Sequence, residues 1–129
     1  MEIAVSQAQA RVPVTVVHLK GNLDSSSYEQ FEKQIKELIQ GGAKNILLDM
    51  GQVPYMSSAG MRSLTNIVNL LHTPEEVKNL RKAAMENTAH SPHLKVVEVT
   101  KNVMSVLQMS GMDMFLDIRK NQKEGLAAF

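Results

Sequence analysis

Residues 12–20, VPVTVVHLK, form a run dense in β-branched side chains, with partial alternation at period two. Such a run reads as a strand, and EIAVSQ just before it supplies a strand to pair with. The chain then turns at Gly21-Asn22. The Asp24–Ser27 cluster offers N-cap groups, and Phe31, Ile35, Leu38 and Ile39 recur at helical spacing until Gly41-Gly42 stops them. The apolar run KNILLD (44–49) follows as a buried strand, and MGQVPY turns the chain again. A strand feeding a punctuated helix that returns to a strand commits the chain to layered α/β architecture.

The same alternation continues to the end. From Ser58, the residues Met61, Leu64, Ile67, Val68 and Leu71 share one helical face, ending near Thr73-Pro74. A polar, helix-favouring segment, PEEVKNLRKAAMENTAHSP, lies between Pro74 and Pro92 with acidic residues at its start, which predicts an extra surface helix around 75–89. HLKVVEV predicts a strand, TKNVMSVLQMSG a helix with Val103, Val106 and Leu107 inward, and MFLDI a short last strand. NQKEGLAAF closes as a short helix. Gly125 costs that helix about 1 kcal/mol relative to Ala, so Leu126 and Phe129 are expected to hold it on the sheet.

At 129 residues the chain is expected to form one domain, 1–129, large enough for a core without staples. The formal charge of +1 gives no electrostatic footprint for nucleic acid or an anionic membrane. Cysteine is absent, which excludes disulfides, thiolate catalysis and sulfur-based zinc sites. No stretch reaches the roughly 18 apolar residues that span a bilayer, and no signal peptide opens the chain; a cytoplasmic protein is expected. His18, His72, His90 and His93 lack metal-ligand spacing, and no phosphate loop or flanked nucleophile motif is present, so neither metal, cofactor nor catalytic residue is expected. Of the nine methionines, four fall in MSVLQMSGMDM, where core packing is the expected use.

YMSSAGMRSL (55–64) carries the most information. Two adjacent serines stand where a strand hands over to a helix, and Ser58 reads as its cap, worth about 1 kcal/mol. A helix N-terminus also presents unpaired N–H groups and partial positive charge. A phosphate on the capping serine would sit in that field and add roughly 1.5 to 2 negative charges. Ala59 and Gly60 keep the turn small. Asp24, at the start of the first helix, can share the same rim, where functional loops gather in layered folds.

With these residues in place, the chain resembles a STAS domain of the anti-sigma factor antagonist type. The likeness covers nearly its whole length, through GNLD (21–24), ILLDM, YMSSAGMRSL and VMSVLQMSGMDMFLDI. It implies a mixed four- to five-stranded sheet with helices mainly on one face, to which the 75–89 helix is an addition. It also implies a partner-switching phosphoprotein that regulates transcription without being an enzyme. Its partners would be an anti-sigma factor that is also a serine kinase of the histidine-kinase-like ATPase type, and a serine phosphatase. Matched residue by residue, Ser58 is the phospho-acceptor, with Ser57 second. Ser57 stands where many antagonists have Asp, and Ala59 where they have Ser or Thr. The docking rim would comprise Asp24, Ser57, Ser58, Ala59, Gly60, Met61, Arg62 and Thr65, and the 75–89 helix could serve a homodimer contact. The alternatives are a STAS subunit of a transporter or lipid-trafficking complex and a signalling scaffold, both without a phosphorylation switch.

Overall fold

The computed structural model describes residues 1–86 and 91–129. A hairpin opens the chain, β1 (Glu2–Gln9) and β2 (Pro13–Lys20), paired antiparallel from Glu2 opposite Lys20 to Gln9 opposite Pro13. Then come α1 (Tyr28–Gln40), β3 (Ile46–Gln52), α2 (Ser58–Leu71), α3 (Pro74–Met85), β4 (Leu94–Val97), α4 (Lys101–Ser110), a 3₁₀ turn at Met112–Met114, β5 (Asp117–Arg119) and α5 (Gln122–Ala127). The five strands lie in chain order, and every pair after the first is parallel. Parallel neighbours need crossovers; α1, the α2–α3 pair and α4 provide them. None of the described helices is long and apolar enough to cross a membrane.

Side-chain alternation along the strands divides the core. On one face Val17, Leu19, Ile46, Leu48, Met50, Leu94 and Val96 pack with Phe31 and Ile35 of α1, Leu64 and Ile67 of α2, and Val103 and Leu107 of α4. On the other face Val14, Val16, Leu47 and Val97 are buried beneath Leu126 and Phe129, which hold α5 there as the sequence predicts. Gly125 explains itself: a Cβ would stand 2.7 Å from Val97 Cγ1 and 2.8 Å from Leu47 Cδ1. Beside it, Lys95 is 3% exposed, 2.6 Å from Asp117 and 4.9 Å from the Phe129 ring centroid. Burial pushes the Asp117 carboxyl up, but the Arg119 and Lys95 hydrogen bonds outweigh it and hold the group below its usual range.

Boundaries differ from expectation at three places. β3 runs on to Gln52 because its ladder with β2 continues across an irregularity between His18 and Lys20 and outlasts the apolar run. MFLDI is only partly strand. Gly111, at φ +78°, ends α4 in the left-handed region, and the Phe115 and Leu116 N–H groups then bond to Met112 O, delaying β5 to Asp117. In the same segment Met112 is buried, but Met109 and Met114 are exposed and do not serve the core. α3 begins with Pro74 after a reciprocal cap, Glu76 N–H to Thr73 Oγ1 at 3.2 Å and Thr73 N–H to Glu76 Oε1 at 2.8 Å. It ends at Met85; of the remainder of the expected helix, Glu86 is a turn and 87–89 lie outside the described residues.

Near the start of α3 a buried polar cluster joins α2 to β4. Val68 O can only accept, so His72 Nδ1 carries the proton at 2.8 Å, and His72 Nε2 accepts from the Ser91 hydroxyl at 3.0 Å. The His93 ring lies 5.2 Å from that of His72 and 3.0 Å from Asn45 Oδ1. Burial, then the neighbouring His72, lowers the His93 pKa. A histidine that binds protons less tightly folded than unfolded lends full stability above its unfolded value of about 6.5 and loses it as pH falls through that value. The urea midpoint should therefore drop between pH 7.5 and pH 5.5, and less in His93→Gln. Gly125→Ala should lower stability by about 1 kcal/mol, since overpacking of about 1–3 kcal/mol exceeds the gain in helix propensity of about 1 kcal/mol; urea unfolding checks it.

Candidate docking and phosphorylation site

Two loops leave the carboxyl ends of β2 and β3 and are joined by backbone. The Leu23 N–H donates to Tyr55 O at 3.0 Å, the Ser57 N–H donates to Leu23 O at 3.0 Å, and Leu23 and Met56 form a parallel bridge. Both side chains are anchored in the core, at 0% and 1% exposure. The first turn of α2 presses directly on this joint. A Cβ on Gly60 would lie 2.2 Å from Leu23 O, so only glycine allows the approach. Gly60 is accordingly buried, and it shapes the rim rather than offering surface to a partner.

The two serines divide the work differently from expectation. Ser57, not Ser58, is the cap: its backbone is extended (φ −89°, ψ 176°) and its hydroxyl accepts from the Gly60 N–H at 3.3 Å. Ser58 is the first helical residue, exposed, and its hydroxyl makes no hydrogen bond among the described residues. The N–H groups of Ser58 and Ala59 have no acceptor there either, and the first turn holds no acidic residue. An exposed hydroxyl thus stands beside two open donors at the positive end of a 14-residue helix.

Asp24 sits in the joined loop and organises its own segment. Its Oδ1 accepts from the Ser26 hydroxyl at 2.6 Å and from the Ser26 N–H at 2.9 Å. These bonds hold its carboxyl below the usual range. It does not cap α1: the helix starts after Ser27, whose hydroxyl donates to Asn22 O at 2.7 Å and makes no capping bond. Of the other expected rim residues, Arg62 is exposed, Ala59 half-buried, Met61 half-buried against the core, and the Thr65 hydroxyl is turned to Met112 Sδ at 3.4 Å. Two contributors escaped the sequence reading. Leu23 was legible as a lone apolar residue within GNLD. Tyr55, 45% exposed beside Met56, adds an aromatic surface.

A family model described as the STAS domain matches residues 6–74, more than half of the chain. The chain belongs to the STAS family. This STAS domain is 26% identical over 111 residues to BtrV of Bordetella bronchiseptica, a candidate anti-sigma factor antagonist, covering 86% of this chain and 82% of that protein. Its fold matches that of an anti-sigma factor antagonist from Mycobacterium paratuberculosis with TM-score 0.73 at 16% identity, covering 98% of this chain and 93% of the other. It also matches the phosphorylated form of the Bacillus cell-fate determinant SpoIIAA, with TM-score 0.61 at 18% identity and 95% coverage of each chain.

The division of roles between the serines gives unequal stability effects. Ser57→Ala should cost about 1 kcal/mol through the lost cap, whereas Ser58→Ala should stay within about 0.5 kcal/mol of the parent. Gly60→Ala should be the most damaging change on the rim, at about 3 kcal/mol, because its Cβ meets backbone that cannot step aside. Urea unfolding of the three variants measures all of this.

Proposed function

We propose that this STAS domain is an anti-sigma factor antagonist: it docks through the rim around Ser58 on an anti-sigma factor that is also a serine kinase of the histidine-kinase-like ATPase type, and phosphorylation of Ser58 ends the docking. One observation carries the choice of residue. The Ser58 hydroxyl is exposed and makes no hydrogen bond among the described residues, while that of Ser57 is committed to the Gly60 N–H. Ser57 is also only half-exposed, whereas Ser58 is exposed to an approaching kinase. A phosphate on Ser58 would meet the open N–H groups of Ser58 and Ala59 at the positive helix end. The BtrV likeness and the existence of a phosphorylated SpoIIAA with this fold support the same reading.

The switch needs no rearrangement of the fold. Unmodified, Ser58 lies among Tyr55, Ala59, Met61 and Arg62, a small neutral spot on a surface that a partner can cover. Phosphorylated, it carries roughly 1.5 to 2 negative charges, close to the charged Asp24 loop, and a covering partner must strip their water. Swinging a binding equilibrium from 1:99 to 99:1 takes about 5.5 kcal/mol, a scale that burial of a poorly paired dianion reaches. A serine phosphatase would reset the rim.

A binding role suits the site better than catalysis, because among the described residues neither histidine nor carboxylate is hydrogen-bonded to Ser58 to activate it. A Ser6–His18–Asp49 alignment does exist on the other sheet face. Its Ser6–His18 contact of 3.4 Å, on an open strand, is too long for an activated nucleophile.

Co-purification from cell extract in the presence of ADP or ATP should bring down a serine kinase of the ATPase type. With that kinase and ATP, intact mass spectrometry should show one added phosphate, retained in Ser57→Ala and missing in Ser58→Ala. The phosphorylated form should bind at least about tenfold more weakly, or about 1.4 kcal/mol. A phosphate placed elsewhere, or unchanged binding after modification, would overturn the proposal, and a transporter subunit as the captured partner would replace it.

A further inference from the structure

β1 is an edge strand, and its outer side has no strand beside it among the described residues. Along its eight residues, alternate backbone N–H and C=O groups point away from β2. Natural sheets guard such edges with short strands, lysines, prolines or bulges. The opposite edge follows that practice: β5 has three residues and leads into Arg119-Lys120. β1 does not. EIAVSQAQ has no proline and no basic residue, and it pairs with β2 in unbroken register, so no bulge twists the edge away. Six of its eight residues are exposed, Val5 to 38%, which leaves the strand open to an incoming ladder.

We infer that this edge pairs with β1 of a second copy, antiparallel, about a twofold axis normal to the sheet. Charge selects the occupant and the register. Glu2 stands at one end of the strand and Arg11 just past the other. Antiparallel self-pairing brings the opposite charges together at both ends, whereas parallel pairing would stack each charge on its like. A twofold normal to the sheet keeps each face on its own side, so residues of equal parity oppose and the axis passes beside a single residue. Centred on Ser6, Ala4 faces Ala8 and Glu2 faces Ala10 of the second copy, next to its Arg11. Centring on Val5 would leave Glu2 opposite Ala8, short of that arginine. The product is a continuous ten-stranded sheet, ten being twice the five strands of one copy. Its strands run in opposed directions in the two halves, so the Ser58 rims lie at opposite ends and each remains free to dock.

The chain has no cysteine, which makes the test direct. Directly opposed residues of an antiparallel pair have Cβ atoms about 4.5–5.5 Å apart, near enough for a disulfide to form with a small adjustment. Sedimentation equilibrium at micromolar concentration should give twice the 14.3 kDa chain mass. Ser6→Cys should cross-link as a covalent dimer under mild oxidation, whereas the control Met85→Cys on α3 should not. Val5→Lys, which places a charge on the edge, should sediment as a monomer with an unchanged circular dichroism spectrum. Only monomer at every concentration, a folded Ser6→Cys protein that fails to cross-link faster than the control, or a dimer that survives Val5→Lys would each overturn the inference. None of these outcomes depends on phosphorylation.

Discussion

The backbone joint at Leu23 is the constraint from which the proposed docking rim follows. Three residues, Leu23, Tyr55 and Ser57, share two backbone hydrogen bonds across loops separated in sequence by the whole of α1 and β3. Gly60 then lets α2 settle on the joint, with Leu23 O in the space where a side chain would stand. Remove that contact and Ser57 has no fixed turn to cap from, so Ser58 has no defined place at the helix end. The chemistry of the rim depends on an oxygen that belongs to neither serine.

The second face of the sheet shows how a small domain can cover both sides. Three of the crossover helices blanket one face, and the short α5 covers part of the other through Leu126 and Phe129. A helix of six residues has little stability alone. It is retained by the close approach that Gly125 permits and by the Lys95–Asp117–Arg119 cluster at its border, with the Phe129 ring lying over the lysine ammonium.

Much of this was legible from the chain itself. The order of strands and helices follows from apolar spacing, since each element must bury one face, and Gly41-Gly42 and the Thr73-Pro74 pair mark their ends by local chemistry. Element ends set by distant partners were not legible: β3 stops where its ladder with β2 stops, and the 3₁₀ turn after Gly111 displaced the expected start of β5. The site shows the same division. Adjacent serines at a helix start were visible, but which one caps depends on the φ and ψ that the Leu23 contact imposes on Ser57. For the same reason Gly60 read as absence of bulk, and its actual purpose, admitting a carbonyl from another loop, cannot be seen without that loop.

The joint also has a kinetic meaning. The β1–β2 hairpin unites near neighbours, and hairpins of this kind form in microseconds. Bringing Leu23 to Ser57 closes a far longer loop, whose entropy must be overcome before the contact returns anything. The rim therefore needs a longer closure than the hairpin, and a chain with only its first two strands zipped presents no finished serine turn. Any protein that reads that turn also reads a chain folded at least as far as the seating of Gly60 on Leu23.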